Sequence, residues 1–325
     1  MDTAQANRSP HLPGGNLFDD MRVDLAAAYA AQGERPAERR SVRRGRLRNA
    51  VAYGVLAAES RLGLHEALVG SGVRRAWFDE FAGYWGSLQG RPLTVMDFHA
   101  LRFAYRTRAQ HTAAFDWQSP EAHLGNWTGP ENLAATFMLA YTAALAPVRS
   151  ALLHRLLPKG GRVLEYGCSL APMYRTWRQF HSHVPCEWTL ADIPTFPFHY
   201  ARHAYAHDAE ASFVTIAEER WDDPLRDAGT FDLIIVQEVF EHLHAPRRMA
   251  EYLIDRLNPG GLFTFDYIRK DDALGHDTPA GLGERLETFE YLSRELDIRH
   301  GALRVGPETV SLCAGTRRRE DDRGR

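Results

Sequence analysis

Residues 161–177, GRVLEYGCSLAPMYRTW, decide the reading of this chain. The short apolar run RVLEYG has the character of a buried strand, and APMYRTWRQF has the spacing of a helix. Between them Glu165, Gly167, Ser169 and Ala171 fall at every second position. Gly167 suits a tight turn and lets another group come close to the backbone. Pro172 suits a first helical turn. A helix beginning near Ala171 aims its free N–H groups and positive dipole end at whatever lies over the turn. A turn that needs one glycine also occurs in folds that bind nothing, so the stretch alone names no ligand.

Working outward, the same alternation continues to the end of the chain. CEWTLADIP is a strand ending in an acid, FHYARHAYAHDA a helix, ASFVTIA a strand and FDLIIVQEV a strongly apolar strand. APRRMAEYLIDRL follows as a helix, NPGG as a turn, LFTFDYI as a strand and GLGERLETFEYLSREL as a helix. DIRHGALRV and ETVSLCAG close the series as two strands. Strands alternating with helices imply parallel pairing with right-handed crossovers. The last two strands, separated only by a turn, are expected to pair antiparallel. The fold class is therefore α/β, a doubly wound, mostly parallel seven-stranded sheet with an antiparallel last strand. Ligands of such sheets bind at the carboxyl ends of the strands where the winding reverses. Asp192 falls at the tip of the strand after the glycine turn, where a carboxylate can accept both ribose hydroxyls of a nucleoside cofactor. NAD and S-adenosylmethionine both suit that pair of features.

The rest of the chain sets bounds. It has 325 residues, 44% hydrophobic and 25% charged, as an ordinary globular protein has. A net charge of −3 argues against a polyanionic partner for the chain as a whole, so nucleic acid is not expected. Three cysteines make no disulfide framework and suggest a reducing compartment. The start lacks the basic and apolar regions of a signal peptide. LAATFMLAYTAALAPV, residues 133–148, is shorter than the roughly 20 residues of a bilayer span and reads as a buried helix. The cytoplasm is the expected location, with no membrane contact. Residues 1–16 are expected to be disordered and 17–157 to form a helical substrate, lid or dimerisation region. Residues 158–316 form the α/β domain and 317–325 a charged tail. The arginine run at 35–49 lacks interleaved aromatics and reads as a solvated face.

VLEYGCSLAP, LADIP, FDLIIVQEVFEHLHAP and LNPGGLFTFDY, taken in order over about residues 156–315, resemble the motifs of class I S-adenosylmethionine-dependent methyltransferases. Within that family they are similar to the group, including ubiquinone-pathway O-methyltransferases, that carries E-x-x-E-H after the fourth strand. The closing antiparallel hairpin fits this family and disfavours an NAD-dependent oxidoreductase. The resemblance implies a Rossmann-like methyltransferase fold. It also implies that Glu165 and Gly167 line the methionine part of the cofactor and that Asp192 holds its ribose. Glu218 or Glu219 would lie near the adenine and Gln237 beside the sulfonium, with Tyr166, Cys168, Ser169 and Ile193 as further cofactor-binding positions.

The family pattern is acid-x-Gly-x-Gly-x-Gly, and this chain departs from it at Ser169 and Ala171. Each adds a Cβ and loses easy access to positive φ, which leaves a non-catalytic cofactor-binding or scaffold protein as the alternative. Ser169 is placed either to meet the cofactor's carboxylate or to cap the helix. Glu238, Glu241 and His242 resemble a metal-ligand set for Mg²⁺ or another divalent ion, with His244 or His276 as a further ligand. Without a metal, Glu238 would orient the acceptor and His242 would act as general base. His199, His203 and His207 share one helical face. The outer two lie about 12 Å apart at about 1.5 Å per residue, which suits a surface or substrate-facing stripe better than a metal site. His181 and His183 read as loop residues. The expected function is methylation, at oxygen or nitrogen, of a small metabolite or sugar, in a chain whose N-terminal helices are a candidate dimer surface.

Overall fold

A computed structural model of the chain describes residues 62, 82–86, 97, 119, 122–124, 153–158, 160–267, 277–303 and 310–318. The arginine run, the apolar helix at 133–148, His276 and most of the charged tail lie outside them. Seven strands form one sheet: β1 (Gly161–Tyr166), β2 (Cys186–Asp192), β3 (Ala211–Thr215), β4 (Phe231–Val236), β5 (Leu257–Tyr267), β6 (Leu296–His300) and β7 (Val310–Arg317). Their spatial order is β3-β2-β1-β4-β5-β7-β6. The first five pair in parallel, and β7 runs antiparallel between β5 and β6. This is the doubly wound arrangement expected from the sequence. Its winding reverses between β1 and β4, and the crevice at their carboxyl ends is where such sheets bind ligands.

Among the described residues five helices connect the strands: α1 (Pro172–Phe180), α2 (Phe196–Ala204), α3 (Pro246–Asp255), α4 (Pro279–Gly283) and α5 (Arg285–Glu295). Residues 233–236, LIIV, are a continuous apolar run because β4 is covered there on both faces. Leu233 and Ile235 join Met173, Tyr174 and Trp177 of α1 and Phe198 of α2. Ile234 and Val236 join Ala250, Leu253 and Ile254 of α3 and Phe289 and Leu292 of α5. Leu153 and Leu156 pack in the α1–α2 layer.

Two elements differ from their sequence reading. NPGG is no free turn, because β5 already begins at Leu257 and the register slips from Phe231↔Leu257 to Leu233↔Leu262. The four residues are absorbed as a bulge in the strand. The helix expected over 281–296 is broken into α4 and α5. In one continuous helix the Gly281 carbonyl would receive the Arg285 N–H; here it accepts from the Tyr267 hydroxyl. Gly281 is also pressed on the Glu241 carbonyl, 2.1 Å from where a Cβ would stand. That packing seats α4 on the 3₁₀ turn Phe240–His242, which follows β4.

Candidate active site

The turn after β1 keeps the backbone of a glycine-rich loop with one glycine, Gly167, in place. Gly167, Ser169 and Ala171 all lie in the left-handed region, at φ 65°, 53° and 53°. A left-handed non-glycine residue costs roughly 1–2 kcal/mol, so the fold sustains this conformation against local preference at two positions. Hydrogen bonds show how. Gly167 N–H and Cys168 N–H both donate to the Ala191 carbonyl of β2, at 2.8 and 3.1 Å. Ser169 N–H donates to Asp192 Oδ2 at 2.6 Å, and Ala171 N–H to the Cys168 carbonyl.

Neither Ser169 nor Ala171 caps α1. Ala171 is the N-cap residue and offers no side-chain acceptor. The cap comes instead from Glu165, buried inside the sheet, whose carboxylate accepts from Met173 N–H at 3.0 Å and Tyr174 N–H at 2.9 Å. Negative charge there also meets the positive end of the helix dipole. Glu165 thus shapes the turn from beneath. The side chains of Tyr166 and Cys168 are buried in the α3–α5 and α1–α2 layers respectively. Burial pushes both hydroxyl and thiol pKa values upward, so Cys168 is no thiolate nucleophile.

Asp192 stands half-buried at the tip of β2, next to the turn. Besides the Ser169 bond, its Oδ1 accepts from Ile193 N–H at 2.7 Å. Desolvation pushes its pKa up to about 7, against the lowering effect of those two bonds. A carboxylate offers about four lone-pair positions, and two backbone donors leave acceptor capacity for a ribose diol. The left-handed turn, the helix start and this carboxylate fit a nucleoside cofactor laid across β1 and β2. Ile193 is half-buried beside Asp192, and Gln237 half-buried just past the tip of β4. Glu218 begins a 3₁₀ turn, Glu218–Arg220, after β3, and Glu219 is exposed.

Beyond β4 the chain folds tightly over the turn. Val239 packs on Gly167 so closely that a Cβ on the glycine would stand 2.3 Å from the valine Cγ2. Glu238 is exposed and is the third non-glycine residue at positive φ, 52°. Glu241, expected beside it as a metal ligand, is wholly buried under α4, and the Thr278 N–H donates to its carbonyl at 2.9 Å. Among the described residues no three histidines, cysteines or carboxylates group as a metal-ligand set. Glu238, Glu241 and His242 are therefore not gathered to fit a divalent ion.

What the sequence did not reveal is a histidine cluster built from distant segments. His123 Nδ1 and His244 Nε2 share a hydrogen bond of 3.1 Å, and His244 stacks on Trp221 with ring centroids 5.5 Å apart. Trp221 also meets His123 edge-on. Burial, then the nearby imidazoles of His244 and His242, push the His123 pKa down to about 3, and burial lowers that of His244. Both rings are thus neutral at working pH. His123 lies in a turn-rich aromatic stretch and Trp221 in a polar one, so neither carried a periodic signal. The α2 histidines serve differently. The Tyr84 hydroxyl hydrogen-bonds His199 Nδ1 at 2.9 Å, and its ring meets His203, so two members of the stripe carry a segment of the N-terminal region. His207 is exposed, as is His183, while His181 is buried. Among the described residues no helix is long and apolar enough to cross a membrane.

No curated protein matches the chain. Among solved structures, an O-methyltransferase family protein from Burkholderia thailandensis is 13% identical over 86% of this chain and 99% of its own, at a TM-score of 0.45. The N-methyltransferase NodS from Bradyrhizobium japonicum WM9, in complex with S-adenosyl-L-homocysteine, is 16% identical over 67% of this chain and 99% of its own, at a TM-score of 0.37. A methyltransferase from Pyrococcus furiosus is 19% identical over 52% and 81%, at 0.35. The model of the methyltransferase domain family matches residues 140–304, half of the chain, spanning β1 through β6. The chain belongs to that family and is a class I S-adenosylmethionine-dependent methyltransferase.

Proposed function

We propose that the protein methylates an oxygen, or a nitrogen, of a small metabolite or sugar, with Glu238 and His242 acting on the acceptor. The observation that carries this reading is the gathering of His123, His242 and His244 just past the tip of β4, on the segment that also carries the exposed Glu238. His123, from the N-terminal region, is 6% exposed there, and a covered site suits a small acceptor better than a polymer. S-adenosylmethionine, when bound, supplies an electrophilic methyl group on a sulfonium and leaves as S-adenosylhomocysteine. Glu238 accepts a hydrogen bond from the acceptor and orients its lone pair along the line of displacement. A ring nitrogen of His242 takes the acceptor's proton as the new bond forms. The residues that would line the cofactor are those of the β1 turn, together with Asp192, Ile193 and Gln237. Their retention of the left-handed turn favours a working enzyme over a scaffold.

The test is transfer of radiolabelled methyl from S-adenosylmethionine to a panel of small hydroxylated and amine metabolites, with products identified by mass spectrometry. His242→Ala is expected to lower the rate by a factor of about 10²–10⁴. Methyl transfer confined to nucleic acid or protein, or a His242→Ala variant of full activity, would overturn the proposal.

A further inference from the structure

The strained backbone at Glu238 has one donor–acceptor tie on it that belongs to no element of the site so far described. Its N–H donates at 2.6 Å to Oδ1 of Asp266, near the end of β5 and 8% exposed. Glu238 is followed by Val239, whose side chain closes on Gly167 at the head of the cofactor turn. Tyr166, the residue before Gly167, pairs in register with Val236 of β4, so the two strand tips are fixed side by side. Between them the chain turns at Glu238 in the left-handed region. At φ 52° that turn is one a non-glycine residue does not make unaided. A carboxylate oxygen accepting from the N–H of the left-handed residue supplies a hydrogen bond that holds it.

We propose that Asp266 is a positioning residue for the cofactor site: by holding Glu238 left-handed it sets Val239 against Gly167 and so fixes the wall of the pocket over β1. The inference rests on the reading of the β1 turn as the cofactor site. It assigns Asp266 no contact with cofactor or acceptor. A buried carboxylate at a strand end in the apolar run LFTFDY thereby anchors the backbone behind the exposed Glu238 side chain.

The test is calorimetric titration of S-adenosylhomocysteine into the full chain and its variants, each first checked for folding by circular dichroism. Asp266→Ala is expected to weaken binding by about tenfold or more, and Asp266→Asn, which keeps an acceptor oxygen, by about threefold at most. Adding Glu238→Gly to Asp266→Ala is expected to restore affinity to within about threefold, because glycine takes positive φ without help. A general loss of structure would not be repaired in that way. Should Asp266→Ala fail to fold, Glu238→Val and Glu238→Gly replace it. Both lose the carboxylate, but the β-branched residue resists the left-handed region, and about tenfold weaker binding is expected for valine alone. Failure of the unaltered chain to bind would overturn the cofactor reading itself. Binding by that chain with Asp266→Ala unchanged, a loss that glycine does not repair, or equal affinities for the valine and glycine variants would overturn the role of Asp266.

Discussion

Two residues of the β1 turn stand where a glycine would be easier, and they do not carry the same burden. Ser169 is half-buried, so replacing it with glycine removes left-handed strain and little packing. Ser169→Gly is expected to stabilise the fold by up to about 1 kcal/mol in urea titration. Ala171 is fully buried, and its methyl group contributes about 0.8 kcal/mol that glycine would lose. Ala171→Gly is therefore expected to be near neutral, and a large loss at both positions would show that the strain argument is wrong. Asp192 makes a prediction of opposite character. Its pKa is raised to about 7, so between about pH 4 and 7 the folded chain holds a proton that the unfolded chain has released. This group's contribution to stability therefore falls as pH rises through that window. Cofactor hydroxyls need the ionised acceptor, so binding draws that proton off. Affinity for S-adenosylhomocysteine should rise with pH, approaching tenfold per unit below pH 7, and level off above it. Asp192→Asn should bind weakly with the step at pH 7 gone, and an equal slope in both proteins would rule the linkage out.

At the scale of elements, the sheet was legible because its strands are short apolar runs set between helical ones. FDLIIVQEV read as a strongly apolar strand, and Asp192 was readable as a site residue because it closes another short strand. What could not be read was whatever depends on contact between distant segments. The break between α4 and α5 comes from Tyr267 and Glu241 pressing on Gly281, and the bulge at NPGG from a register that β4 imposes. Trp221, His123 and Asp266 gained their meaning only by meeting partners far along the chain. Glu165 belongs to the same class: the sequence marked it as an acid beside the cofactor, and the structure uses it as the cap of α1. Glu165→Gln keeps one acceptor oxygen but turns an amide donor towards the second N–H. It should cost about 2 kcal/mol in denaturant unfolding, by losing a charged, doubly engaged acceptor at a buried helix start. The 3₁₀ turn after β4 yields a different test. With Glu241 buried under α4 rather than turned towards Glu238, chelation by EDTA should leave methyl transfer unchanged, and activity restored only by added Mg²⁺ would contradict this.

The whole molecule is more than an α/β sheet with a separate leader. Tyr84 and Trp85 are 0% and 1% exposed, and Tyr84 reaches across to His199, Tyr200 and His203 of α2. His123 makes a second junction, on His244 and Trp221. Among the described residues the N-terminal region meets the α/β domain at two aromatic–imidazole junctions, one on the helix after β2 and one on the chain after β4. Buried aromatics of this size carry much of a core's stability, so a segment that buries two of them does not come away cheaply. One cooperative unfolding transition is expected for the full chain by scanning calorimetry. Tyr84→Ala should lower its stability by about 3–5 kcal/mol through the cavity and the lost ring contacts. Tyr84→Phe should cost only about 1 kcal/mol, the share of the hydroxyl bond to His199. Both variants should move that single transition as a whole. Two separate transitions, with Tyr84→Ala moving only the lower one, would mean that the N-terminal region folds on its own and merely rests on α2, and the covering role assigned to it would fail with that result.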